Sequence, residues 1–375
     1  MPTYVDGLLR EIQNLRDAAD ERLCVHTIFF GGGTPSLLPA SSVGKILHNL
    51  DVSFEILSEP EISLEANPGT LSLSYLQDLT AVGVNRLSLG MQSAHPRELV
   101  FLERQHSFDD VLDSVRWARQ AGIENLSLDL IFGLPEQTND IWNRSLTRAL
   151  DLSPEHFSIY ALTIEQGTPL YEWANRGMIP LPDPDQAAEM YELACERLSV
   201  AGYTQYEISN WARTNIDLKM KNISLLPKHN WSCQHNLQYW RNLPYLGFGA
   251  GAHGFAGGVR ISNVLSPDDY IRRLLKKPSL PVVFPKTPAT ISVQPISKEI
   301  EMSETMMMGL RLTGEGVSRA AFQKRFKKDL YKVFGSRIDR LIEWGLLTWA
   351  GPEDDILRLT PRARLLGNRV FREFI

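Results

Sequence analysis

Cysteine is scarce in this sequence: 375 residues contain three, Cys24, Cys195 and Cys233, widely separated and with no paired spacing. That excludes a disulfide framework and agrees with a reduced, cytoplasmic setting. No apolar run is long enough to span a bilayer, so no transmembrane segment is expected. The opening stretch MPTYVDGLLREIQNLRDAADERL reads as an amphipathic helix and lacks the charged-then-apolar layout of a secretory leader. Positive charge is not in excess, since 39 Lys and Arg stand against 44 Asp and Glu, a net of −5, with pI near 6.0. A global attraction to nucleic acid or to an anionic membrane is therefore not expected. Low-complexity tracts and repeats are missing as well.

What remains is an ordinary globular composition, 43% hydrophobic and 22% charged. Strand-like runs at 25–30, 61–66, 86–92, 126–132, 156–163 and 205–209 alternate with helical patterns at 72–82, 108–121, 139–151 and 184–201. That rhythm predicts a parallel α/β sheet or barrel. Its strands alternate leucine with small or polar residues: Leu87, Leu89 and Met91 oppose Ser88, Gly90 and Gln92, and Leu126, Leu128 and Leu130 oppose Ser127 and Asp129. A barrel filled by its own branched side chains would not read this way. The leucine face is expected against outer helices, and the polar face, with Glu65, Gln92 and Asp129 near strand ends, is expected to line a cavity. Carboxyl ends of parallel strands are where such folds place ligands.

The glycine run GGGTP at 31–35 follows the first strand. It is neither a phosphate loop nor a dinucleotide fingerprint, because the spacing is wrong and no lysine follows. Three consecutive glycines suit a backbone that approaches a ligand closely, with tight strand–helix packing as the alternative.

In order and at the spacing of βα units come GGGTP, LEANP at 64–68, RLSLGMQS at 86–93 and LDLIFGLPEQ at 128–137. This set resembles the radical S-adenosylmethionine (SAM) superfamily, and within it the branch of oxygen-independent coproporphyrinogen III oxidases and radical SAM heme chaperones. The resemblance runs from Tyr4 to the last residue. It implies that Gly32, Gly33 and Thr34 hold the methionine end of SAM, that Arg104 meets its carboxylate, and that Glu65, Gln92 and Asp129 share its ammonium and ribose hydroxyls. Taken singly, each of these residues has an equally good structural role, as a cap or a surface ion pair.

The superfamily's CxxxCxxC loop, whose thiolates bind a 4Fe-4S cluster, has no counterpart in this sequence. The segment that follows that loop in the family matches the chain almost from Met1, so the expectation is a partial (β/α)6 barrel missing its first strand. Without the cluster, no reductive cleavage of SAM is expected.

HNLQYW at 235–240 matches the HNxxYW motif of the heme chaperones, and the resemblance makes His235 a candidate ligand for heme iron. A neutral imidazole beside aromatics suits that task, though a hydrogen-bonded histidine in an aromatic cluster is the alternative. Cys233 is a weaker second ligand, and His253 a site wall or a packed turn residue. The motif favours a heme chaperone, binding heme and SAM and delivering heme to an acceptor protein. The alternative is a coproporphyrinogen III oxidase acting in porphyrin biosynthesis. A barrel aldolase or lyase has little support, as no strand-end lysine or histidine pair is present.

By sequence the domains are 1–212, the partial barrel; 213–277, the HNxxYW region; 278–297, a proline-rich linker; and 298–375, a module resembling a winged helix. The irregular stretch 213–232 reads as an insertion, and the basic run 324–328 as a solvated helix face.

Overall fold

A computed structural model describes residues 2–214, 231–276 and 281–375. The insertion read at 213–232 lies for the most part outside the described residues. Seven strands form one open sheet in the order β1-β2-β3-β4-β5-β7-β6. They are β1 (Cys24–Phe30), β2 (Glu55–Ala66), β3 (Arg86–Gln92), β4 (Asn125–Phe132), β5 (His156–Ala161), β6 (Tyr203–Glu207) and β7 (Asn210–Arg213). From β2 to β5 neighbours run parallel, and the β6–β7 hairpin adds on antiparallel through β7. The expected partial α/β barrel is therefore present as a half-barrel sheet. The last predicted strand, at 205–209, is instead a hairpin whose inner partner, β7, the sequence pattern did not reveal.

By compactness the chain forms two units, each discontinuous in sequence. One comprises residues 1–29, 38–62 and 234–375, the other 30–37 and 63–233. In the second unit, Leu87, Leu89, Leu126, Leu128 and Leu130 are fully buried. The helix Phe108–Gln120 packs on β3 and the helix Pro184–Val200 on β4. Each buried leucine contributes roughly 1.5–3 kcal/mol. The helices begin where their caps dictate. Ser107 Oγ accepts from Asp110 N at 3.3 Å while the Asp110 carboxylate accepts from Ser107 N at 2.7 Å, a capping box. Thr138 caps the helix Asn139–Asp151.

In the first unit the helix Pro2–Ala18 packs against the helices Ala40–Ser53 and Pro267–Leu275. Its Glu11 is fully buried. One carboxylate oxygen accepts from Gly249 N at 2.9 Å and Tyr270 Oη at 2.6 Å, the other from Asn263 Nδ2 at 2.7 Å and Thr287 Oγ1 at 2.9 Å. One side chain thus ties together the glycine-rich run, a second sheet and the proline-rich segment. That sheet is antiparallel, with β9 (Val259–Asn263) between β8 (His253–Ala256) and β10 (Thr290–Pro295). The end of the stretch read as a linker is therefore an edge strand, β10, where the prolines lie outside or at the end of the pairing.

The C-terminal module has the helix Lys298–Gly309, then β11 (Val317–Ser318), the helices Arg319–Phe326 and Leu330–Glu343, and the pair β12 (Leu347–Ala350) and β13 (Ile356–Leu359). This helix–strand–helix–helix–strand–strand order is that of a winged helix. Phe322, Phe334 and Phe374 fill its core edge to face. The basic run meets carboxylates: Arg325 pairs with Glu301 at 2.7 Å, and Lys328 stands 3.9 Å from Glu299.

Glu11→Gln keeps the shape but turns an amide NH2 toward one pair of donors, and should cost about 1–3 kcal/mol in urea unfolding, with Glu11→Ala costing more. Burial holds the Glu11 carboxyl above its ordinary value. The folded state therefore keeps that proton longer than the unfolded chain. Its contribution is full at low pH and lost as pH rises through the raised value, a slope that Glu11→Gln should lack.

Candidate functional site

The second unit's polar face is organised in rows by strand register. Glu65, Ser88, Ser127 and His156 stand side by side across β2 to β5. In the row before them come Ser63, Arg86 and Asn125, and in the row after, Asp129, Ser158 and Asn210. Period-two alternation brings all of these side chains to one face.

At the head of that face, the loop after β1 carries Gly32 and Gly33 with φ of +82° and +61°, a conformation side chains rarely adopt. A Cβ at either would meet nothing within 4 Å, so backbone conformation, not crowding, requires glycine, and the loop's surface is open. Gly32 N donates to Glu65 Oε2 at 3.1 Å. Asn67 Nδ2 reaches Thr34 Oγ1 at 3.5 Å, and Ser36 and Thr70 hydroxyls lie 2.6 Å apart, fastening the loop to the end of β2.

Glu65 and Asp129 both have carboxyls held above their ordinary values, in each case first by burial. Gly32 N–H and Arg86 offset this for Glu65, while Asp129 raises it further. For Asp129 the offset comes from Ser158, Ser88, Arg86 and Ser127. Ser88 Oγ lies 3.0 Å from each oxygen of Asp129. The counter-charge is Arg86, 2% exposed at the start of β3. His156 is held well below its ordinary value, by burial and then by Arg86, and so is neutral. Its Nδ1 is 2.8 Å from Ser127 Oγ and its Nε2 2.8 Å from Tyr206 Oη. Sequence reading missed Arg86, His156 and Tyr206. The period-two pattern carried the signal, since Arg86 and Ser88 share parity and His156 lies in the same row.

Gln92, at the end of β3, sits at φ +62° after a β-bulge, three residues of β3 opposing two of β4. The bulge turns its amide back: a Cβ on Gly90 would lie 2.8 Å from Gln92 Nε2. Arg104 follows a left-handed residue, Glu103, and its own N–H is tied to Leu99 O at 2.8 Å. Its Nε is buried without a partner among the described residues. An unpaired buried guanidinium nitrogen, open glycines and two carboxylates on one polar face, Glu65 of β2 and Asp129 of β4, fit a zwitterionic ligand such as SAM.

The iron–sulfur cluster finds no such fit. Among the described residues no three Cys, His, Asp or Glu side chains group as metal ligands. Cys24 is exposed, its thiol 3.2 Å from Glu55, Cys195 is half-buried, and Cys233 is buried, its N–H pointing to Tyr206 Oη at 3.3 Å.

In the first unit, HNxxYW forms the helix Gln234–Trp240, whose first N–H groups, of Gln234 and His235, both donate to the Glu61 carboxylate at 3.0 Å. A carboxylate on the amino end of a helix is a favourable pairing. The His235 ring stacks on Phe29, centroids 4.9 Å apart and planes 12° from parallel. Its Nδ1 is 3.0 Å from Thr27 Oγ1 and its Nε2 2.9 Å from Tyr239 Oη. Both ring nitrogens are thus engaged. Trp240 turns instead to the C-terminal module, its ring 4.3 Å from the Arg311 guanidinium. Arg241 pairs with Glu315, and Arg325 donates to Asn242 O at 2.6 Å, so the module grips the end of this helix. His253 is exposed at the start of β8 and joins neither group.

A family model described as the radical SAM superfamily matches residues 2–148, and one described as the HemN C-terminal domain matches residues 296–366. The chain is similar to the heme chaperone HemW of Bacillus subtilis, 37% identical over 99% of this chain and 91% of the relative. It is 32% identical to HemW of Lactococcus lactis over 99% of this chain and 89% of the relative. Its fold is similar to that of the solved coproporphyrinogen III oxidase (HemN) from Escherichia coli, with TM-score 0.77, 20% identity, and coverage of 100% of this chain and 82% of that one.

Gly90→Ala tests the bulge. The backbone at Gly90 accepts alanine, so the urea midpoint should hold or rise slightly. The new methyl must displace the Gln92 amide, so a ligand held by that amide, SAM on the family resemblance, should bind about five- to tenfold more weakly by calorimetry, the worth of one hydrogen bond.

Proposed function

We propose that this chain, which belongs to the HemW family of heme chaperones within the radical SAM superfamily, binds heme through His235 and delivers it to an acceptor protein. The observation that carries the reading is the placement of His235. Its imidazole lies at the start of a short helix, flat on Phe29 and bridged by two hydroxyls that can yield to a better partner. A neutral histidine offers one nitrogen to iron while the other keeps its hydrogen bond. Thr27 is suited to hold Nδ1 and Tyr239 to release Nε2.

SAM is the proposed resident ligand of the second unit. Gly32, Gly33 and Thr34 would face its methionine end, Arg104 its carboxylate, and Glu65, Gln92 and Asp129 its ammonium and ribose. Bound SAM with a 4Fe-4S cluster supplies radical chemistry in this superfamily, but no set of thiolates here fits that cluster, and no reaction is assigned through it. No helix among the described residues is long and apolar enough to cross a membrane, and we place the protein in the cytoplasm. The oxidase alternative is supported by fold likeness alone.

Titration of the purified chain with heme should give a Soret band that His235→Ala weakens or shifts. No Soret change with the parent protein, or identical spectra from the two, would falsify the heme reading. Tyr239→Phe removes the hydroxyl that competes for Nε2, and heme should bind about fivefold more tightly, the equivalent of roughly 1 kcal/mol. Anaerobic reconstitution with iron and sulfide should yield no 5′-deoxyadenosine from SAM, and detecting it by chromatography would overturn the account of the cysteines.

A further inference from the structure

The C-terminal module exposes a tryptophan at the end of its longest helix. Trp344 follows Glu343 and is 42% exposed, with Leu365 at 42% and Leu366 at 39%. The module's core is already filled by Phe322, Phe334 and Phe374, so Trp344 is not needed there. The guanidinium groups of Arg340 and Arg369 lie 5.5 and 5.3 Å from its ring centroid, within cation–π range. Beside it is a pocket of about 240 Å³ lined by Trp344, Leu346, Arg362, Leu366 and Arg369, with no carboxylate among them. Arg340 is neutralised by Glu373. Arg362 and Arg369 meet no carboxylate among the described residues, whereas Arg325 and Lys328 of the basic run do.

We propose that this pocket is a docking site for an acidic, leucine-bearing peptide segment of a partner protein. Tryptophan and arginine dominate binding hot spots because they combine large contact area with directed charge. The volume is below that of a small-molecule site, roughly 300–1,000 Å³, and suits one or two side chains. Two guanidiniums that meet no carboxylate among the described residues line one pocket, which matches a pair of carboxylates flanking an apolar anchor. A nucleic acid needs a track of cations for successive phosphates. Here Arg325 and Lys328 of the other basic run face carboxylates, and the chain carries a net charge of −5.

The test is fluorescence anisotropy of a fluorescein-labelled dodecapeptide of Glu-Glu-Leu repeats against the full chain. Binding should weaken with salt and fall about tenfold or more in Arg362→Glu/Arg369→Glu and in Trp344→Ala, variants whose urea midpoints are checked in parallel. Lys324→Glu/Lys328→Glu should bind as the parent does. Failure of the peptide to bind, equal binding of a Lys-Lys-Leu peptide, or binding that survives the Arg362/Arg369 variant overturns the proposal. So does a single-stranded DNA oligonucleotide whose binding the same variant abolishes, which would make the surface one for nucleic acid. Self-association by sedimentation, lost in that variant, would assign the pocket to a second copy of the chain. None of these outcomes depends on heme.

Discussion

The buried guanidinium of Arg86 is the constraint around which the second unit is built. A parallel sheet with an apolar inner face needs no such group. This sheet instead lines its inner face with Glu65, Asp129, Ser88, Ser127, Ser158 and His156, among others, and a buried carboxylate without a partner is costly. Arg86, 2% exposed at the base of β3, lowers the carboxyls of both Glu65 and Asp129 against the effect of burial. It also adds to burial, the larger cause, in holding His156 below its ordinary value. The serines complete the arrangement by donating to Asp129. The two acids of this face are therefore offset in part by a charge placed at the start of β3 on the same face.

Glu11 has an analogous role in the first unit with the signs reversed. There one carboxylate gathers neutral donors from four places in the sequence, where in the second unit one cation steadies two acids. In each unit a buried charge thus joins segments distant along the chain.

Much of this was legible beforehand. The strand Arg86–Gln92 and the helix Asn139–Asp151 match their patterns to the residue, because alternation and a threonine cap are local signals. That Glu65 and Asp129 lie on the polar face could be seen from alternation. What could not be read were consequences of register. Arg86 looks like the first residue of a strand until its neighbours Ser63 and Asn125 are known. β7 is four residues long and follows a tight turn, too short for periodicity to register. The β-bulge that turns Gln92 is invisible in a run that otherwise alternates cleanly. Residues 1–29 and 234–375 share a unit in which Glu11 binds Gly249, Asn263, Tyr270 and Thr287, and linear composition carries no trace of that.

The two hydroxyls on His235 also bear on the end of a delivery cycle. A carrier that grips too well never gives up its load. On the proposed heme reading, iron leaving Nε2 would find the Tyr239 hydroxyl at hand, so the vacated nitrogen would not be left unsatisfied. The departure would then be a swap of partners and not a bare dissociation, which would lower its uphill cost. A histidine with a ready internal substitute makes a poor permanent anchor and a good temporary one.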